Sequence, residues 1–183
     1  MDQPLDGYFV PAKGIWETPA EGDYVLTAKS HRYEEATVEI LAVVAGELDL
    51  IARMATVGSM LVAAFEEFSW CGFYRVDPAD DGQLVIGPYQ GPLGCLRIAF
   101  GRGVCGCAAA RQETVIVDDV HAFPDHIACD ATSESEIVIP VFDANGALLA
   151  VLDVDSRSKA TFDAVDASHL RVLIDRVFAV SAP

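Results

Sequence analysis

The sequence predicts an α+β fold: one domain built on a mostly antiparallel sheet, with helices over one face. Three observations carry the prediction. Apolar residues recur at helical spacing near both ends of the chain, and short β-rich segments joined by tight turns fill the middle. Few helical stretches separate those segments, whereas parallel strands would need crossovers. With 183 residues and 52% hydrophobic content, the chain can bury a single full core.

Residues 1–29 mix proline and glycine with Tyr8, Phe9, Trp16 and Tyr24 and are expected to form an extended arm that adheres to something. The domain proper is expected over residues 30–183. A helix starts near Ser30 and breaks near Gly46. In a second helix Leu50, Met54, Val57, Leu61 and Phe65 form one apolar face. Residues 70–76 form a strand, and the cluster from Asp77 to Gly82 turns it into another at Gln83–Ile86. Residues 95–98 are expected to be a short strand, followed by a small-residue helix ending at Arg111 and a strand over Thr114–Val117. Residues 118–134 show no period and are expected to be a long loop, a kind of segment that is usually functional in compact domains. Strands at 136–142 and 148–155 flank Asn145-Gly146, the strongest hairpin signal in the chain. A last helix is expected over about 163–178. Helices on one face leave the other to loops 89–106 and 118–135, which would roof a small pocket.

Twelve basic residues against 28 acidic ones give a net charge of −16, which repels phosphate backbones and anionic membranes. No nucleic acid or membrane partner is expected. The start Met1-Asp2-Gln3-Pro4 lacks the basic and apolar regions of a signal peptide, so a cytoplasmic, reducing location is expected. An odd set of five cysteines, Cys71, Cys95, Cys105, Cys107 and Cys129, argues against a structural disulfide framework.

Six segments occur in order: Trp70-Cys71-Gly72-Phe73-Tyr74; Gly87-Pro88-Tyr89-Gln90-Gly91; residues 100–106, Phe-Gly-Arg-Gly-Val-Cys-Gly; residues 121–130, from His121 through His126 and Cys129 to Asp130; Ser135-Glu136-Ile137-Val138; and Leu152-Asp153-Val154-Asp155-Ser156. Together they resemble the GAF-domain free methionine-(R)-sulfoxide reductases over roughly residues 31–179. Cys71, the Cys105-Gly106-Cys107 pair and Ala99 before Phe100 depart from the family pattern. The resemblance implies a GAF-like domain that reduces free methionine (R)-sulfoxide with no bound cofactor, drawing electrons from thioredoxin and ultimately from NADPH. It also implies a homodimer and a role in oxidative stress.

The chemistry can be set against the residues. A thiolate attacks the sulfoxide sulfur while its oxygen is protonated, leaving a cysteine sulfenic acid that a second thiol condenses to a disulfide. Cys129, in the long polar loop just after His126, is the attacking candidate. The residues alone do not rank Cys95 against Cys105 as its partner; the resemblance puts the resolving role on Cys95 and a third family cysteine at Cys105. Glu136 opens an apolar strand that would raise its pKa, and the resemblance sets it against the sulfoxide oxygen as the acid. Asp153 and Asp155 alternate with Val154 and share one strand face; the resemblance gives them the substrate ammonium. Trp70 and Tyr74, also on one face, would form an aromatic wall around the methylthio group. Gly103 is expected to offer backbone amides to the substrate carboxylate, and Gln90 to border the pocket. Cys71 and Cys107 are expected to be packing residues.

Three other functions compete. His121, His126 and Cys129, with Cys105 or Cys107, supply soft ligands but fit no strong zinc signature, so no metal is expected. A regulatory ligand-binding module is the second. A thiol sensor without turnover is the third.

Overall fold

The fold is described from a computed structural model, which covers residues 5–10, 28–127 and 129–179. Trp16 and Tyr24 of the N-terminal arm lie outside these residues. Seven strands form one antiparallel sheet: β1 (Phe9–Val10), β2 (Trp70–Asp77), β3 (Asp80–Gln90), β4 (Arg97–Ala99), β5 (Thr114–Val117), β6 (Ser135–Phe142) and β7 (Leu148–Ser156). Their order is β1-β5-β6-β7-β2-β3-β4. The helices are α1 (Ala28–Val43), α2 (Leu50–Ala64), α3 (Gly103–Arg111) and α4 (Ala164–Phe178).

Alternation along the central strands divides the interior in two. Phe73, Ile137, Ile139, Leu152 and Val154 point to one face and pack with Tyr33, Ile40, Met54, Leu61, Phe65, Leu170 and Ile174 of α1, α2 and α4, all of them fully buried or nearly so. Trp70, Tyr74, Val138 and Val151 point to the other face, where α3 contributes Val104, Cys105 and Ala108. Side-chain caps fix the helix starts. Asp49 accepts from the Ala52 amide at 2.8 Å, and Asp163 and Asp166 form a reciprocal capping box on α4. Asp166 also accepts from the Tyr33 hydroxyl at 2.8 Å and pairs with Lys29, which ties α1 to α4 at the buried carboxylate.

The domain differs from the sequence expectation at several points. α1 begins at Ala28, two residues inside the expected arm, because Lys29 already engages Asp163 and Asp166. Phe9 and Val10 of the arm pair with Val115 and Thr114, so the arm extends the sheet of its own chain. Tyr8 packs edge-on against Phe123, with ring centres 5.1 Å apart. The strand expected at 95–98 starts only at Arg97, whose neighbours pair with Gln83–Val85, and Cys95 stands in the connection before it. The loop 118–134 contains a 3-10 turn at Val120–Ala122, capped by Asp119. No helix among the described residues is long and apolar enough to cross a membrane.

Candidate active site

The face opposite the three large helices carries a cleft of about 490 Å³, counted out to its open mouth. Its floor is set by strand register. Glu136 stands directly opposite Asp155 across β6 and β7, Trp70 stands opposite Asp155 on the other side, and Gly72 stands opposite Asp153. Paired residues share a face, so three carboxyl groups and the aromatic wall arise from two registers. α3 approaches from above, where the Cys105 thiol donates to Glu136 Oε1 at 3.8 Å.

The cleft is lined by eight of the residues singled out from sequence: Trp70, Tyr74, Gly103, Cys105, Cys129, Glu136, Asp153 and Asp155. Trp70 and Tyr74 stack with ring centres 5.7 Å apart, and the Trp70 indole donates to the Pro92 carbonyl at 3.1 Å. Gly103 opens α3 with φ +59°, a backbone conformation that glycine adopts at little cost, and Ile127 closes over it. Cys95 reaches the cleft through chemistry: its sulfur is bonded to that of Cys129, with Cα atoms 5.3 Å apart. Cys105, the alternative partner, is a buried free thiol. Cys71 is fully buried in the helix-side core and Cys107 is buried on α3.

Gln90 does not line the cleft. It pairs with Cys71, whose side chain faces the helices, and so projects from the wrong face into solvent. The neighbouring Tyr89 takes the cleft side and stacks on Trp70 at 5.2 Å. Gly72 permits this approach, since a Cβ there would meet Tyr89 Cβ at 2.2 Å. Three further residues line the cleft: His126, weighed from sequence only as a metal ligand and as the neighbour of Cys129, and Ser133 and Arg102, which were given no role from sequence. The signal for His126 was its place three residues before Cys129; its Nε2 stands 4.0 Å from Glu136 Oε2.

Electrostatically the floor is over-acidic. Burial, and then the fields of Asp153 and Asp155, hold the Glu136 carboxyl well above the usual carboxylate range. Burial also raises Asp153, and burial followed by the Asp153 charge raises Asp155. Burial pushes the Cys105 thiol up, and Asp153 and Glu136 add to the effect. Burial lowers His126, as does nearby His121, which favours the neutral imidazole. Asp153 Oδ1 is buried with no hydrogen-bond partner among the described residues. Burial and mutual repulsion therefore favour the protonated form of Glu136, next to the Cys105 thiol. Among the described residues a metal is conceivable on Cys105, Glu136 and Asp153, whose ligand atoms lie within 4.8 Å of one another.

A carboxyl whose pKa is raised by folding supports the fold below its unfolded pKa and loses that support as pH rises through its folded one. The substrate-free protein is therefore expected to melt at lower temperature as pH climbs above the ordinary carboxylate range. Asp155→Asn, which removes one of the crowded charges, is expected to gain about 1 kcal/mol at alkaline pH, a rise of a few degrees in thermal scans. Its KM is expected to rise roughly tenfold or more if the carboxylate grips an ammonium group. An unchanged melting curve would contradict the charge crowding.

An antiparallel sheet with helices on one face and a roofed cleft on the other defines the class as a GAF domain, and the model of the GAF domain family matches residues 52–177. The free methionine-R-sulfoxide reductase of Escherichia coli is 40% identical over 84% of this chain and 91% of its own length. That of Saccharomyces cerevisiae is 38% identical over 70% and 73%. The X-ray structure of the Neisseria meningitidis enzyme in complex with its substrate superposes with a TM-score of 0.78 at 47% identity, covering 82% of this chain and 89% of that one. The chain belongs to the GAF-domain free methionine-R-sulfoxide reductase family.

Proposed function

We propose that the protein reduces free methionine (R)-sulfoxide to methionine by cysteine chemistry and is re-reduced by thioredoxin. The observation that carries the proposal is the meeting, in one cleft, of the Cys95–Cys129 disulfide, an aromatic wall and three carboxyl groups, of which Glu136 and Asp153 are buried. Free methionine sulfoxide brings an ammonium group to offset the excess acid at Asp153 and Asp155, and a methylthio group that fits against Trp70 and Tyr74. Its carboxylate meets the amides at the start of α3, near Gly103. The R preference rests on the relatives' names.

In the proposed reaction the Cys129 thiolate attacks the sulfoxide sulfur and Glu136 gives its proton to the oxygen. Oxygen passes to Cys129 as a sulfenic acid, and methionine departs as the thioether. The Cys95 thiol then attacks Sγ of Cys129, the hydroxyl leaves as water, and the disulfide forms. The two electrons come from the two cysteines.

The test is a single turnover. The reduced protein, freed of reductant and mixed with the free R epimer, is expected to release about one methionine per chain and to convert Cys95 and Cys129 to the disulfide, leaving Cys71, Cys105 and Cys107 as thiols. Disulfide without methionine would favour the thiol sensor. Neither product would favour a ligand-binding module.

A further inference from the structure

The flap between β3 and β4 carries an exposed apolar surface that runs from the cleft rim at Leu93 past Cys95 to Leu96 outside the cleft. Leu93 and Leu96 are 73% and 68% exposed, the highest values among the large hydrophobic side chains of the described residues, and they stand on either side of Cys95. The segment 91–96 has no charged residue, and the stretch 82–112 contains Arg97, Arg102 and Arg111 but no aspartate or glutamate, in a chain of net charge −16. Arg97 is paired with Asp77, while Arg102 is exposed at the mouth of the cleft. Cys129 faces the cleft, which Arg102, Asp130, Glu136, Asp153 and Asp155 also line, and among the described residues no exposed large hydrophobic residue flanks it in the chain. An incoming protein thiol finds exposed apolar surface beside Cys95, where Leu93 and Leu96 flank it.

We propose that the flap 91–96 is the landing surface for a dithiol protein with an apolar contact face and an acidic rim, and that its attacking thiolate strikes Sγ of Cys95, not of Cys129. The partner's chemistry follows from the surface. A small hydrophilic thiol needs no pair of exposed leucines beside its target, whereas a protein donor must bury an apolar patch to hold its sulfur in line. The exchange balances. The donor thiolate bonds to Cys95 Sγ, the Cys95–Cys129 bond breaks, and its electron pair leaves on Cys129 as a thiolate, the form needed for the next attack. The donor's second thiolate attacks its own partner sulfur in the mixed disulfide and frees Cys95. The donor leaves oxidised; one proton of its thiols ends on Cys95 and the other, through solvent, restores the Glu136 carboxyl, while Cys129 stays a thiolate. The proposal rests on the functional reading only in taking the disulfide as a turnover intermediate.

Two measurements test it. First, the oxidised full-length protein is mixed with a thioredoxin variant that keeps only its attacking cysteine, and the adduct is mapped by mass spectrometry. It is expected on Cys95; an adduct on Cys129, or none, overturns the proposal. Second, Leu96→Ser is expected to raise the KM for thioredoxin about tenfold, equivalent to 1.4 kcal/mol, while turnover driven by dithiothreitol stays unchanged. An unchanged KM, or equal loss with both reductants, overturns it. The mapping needs no sulfoxide, so its failure is distinct from failure of the functional reading, which would appear as no methionine from the wild-type protein with dithiothreitol.

Discussion

Cys129→Ser is expected to lower methionine sulfoxide turnover by roughly a thousandfold or more, the scale seen when a covalent nucleophile is removed, while substrate binding is largely kept. A serine hydroxyl at neutral pH is far less nucleophilic than a thiolate and forms no stable counterpart of the sulfenic acid. The proposed recognition groups are elsewhere: Trp70 and Tyr74 on β2, and Asp153 and Asp155 on β7. Calorimetric titration of the reduced variant with the free sulfoxide checks the binding half, and release of methionine checks the chemical half. Cys95→Ser is the informative partner. It removes the resolving thiol but leaves Cys129, so one methionine per chain should still appear before the reaction stalls. Sustained turnover by Cys129→Ser would move the nucleophile to another cysteine, with Cys105, 3.8 Å from Glu136, the first to examine.

Glu136→Gln is expected to cut kcat by roughly 10²–10⁴-fold, the usual worth of a positioned general acid, with a smaller effect on KM. The amide keeps size and hydrogen bonding but carries no proton to give. For the wild type, the acid must be protonated, and burial with the charges of Asp153 and Asp155 raises its pKa. Activity limited by this proton is therefore expected to fall as pH rises through that raised value, and the fall should vanish in Glu136→Gln. His126, 4.0 Å from the other carboxyl oxygen and itself held toward the neutral form, is placed to feel the same titration. A Glu136→Gln protein with unchanged kcat would send the acid role elsewhere on the floor.

The elements were legible where a local pattern specifies them. Apolar spacing predicted a face of Leu50, Met54, Val57, Leu61 and Phe65, of which Leu50 is partly and the other four fully buried, and Asn145-Gly146 marked the hairpin that aligns β6 with β7. Alternation showed that Asp153 and Asp155 share a face. It did not show that Glu136 would stand across from Asp155, because a strand's period fixes its faces and not its neighbour. The placing of Gln90 depends on the same thing: one step of register turns Gln90 to solvent and Tyr89 toward Trp70. Cys95 was given to a strand on local composition, yet the pairing that would hold it begins only at Arg97. Its bond to Cys129, 34 residues away, is a tertiary fact that spacing alone did not contain.

The central claim is that the cleft turns over free methionine sulfoxide and holds both ends of the amino acid. The direct measurement is NADPH consumption in the presence of thioredoxin and its reductase, with free R sulfoxide, free S sulfoxide and a peptide-embedded methionine sulfoxide blocked at both ends compared at equal concentration. Steady consumption with the free R epimer alone is the predicted result, since the blocked peptide offers no ammonium to Asp153 and Asp155 and no carboxylate to the start of α3. Equal rates with the blocked peptide, or no consumption with any of the three, would contradict the claim.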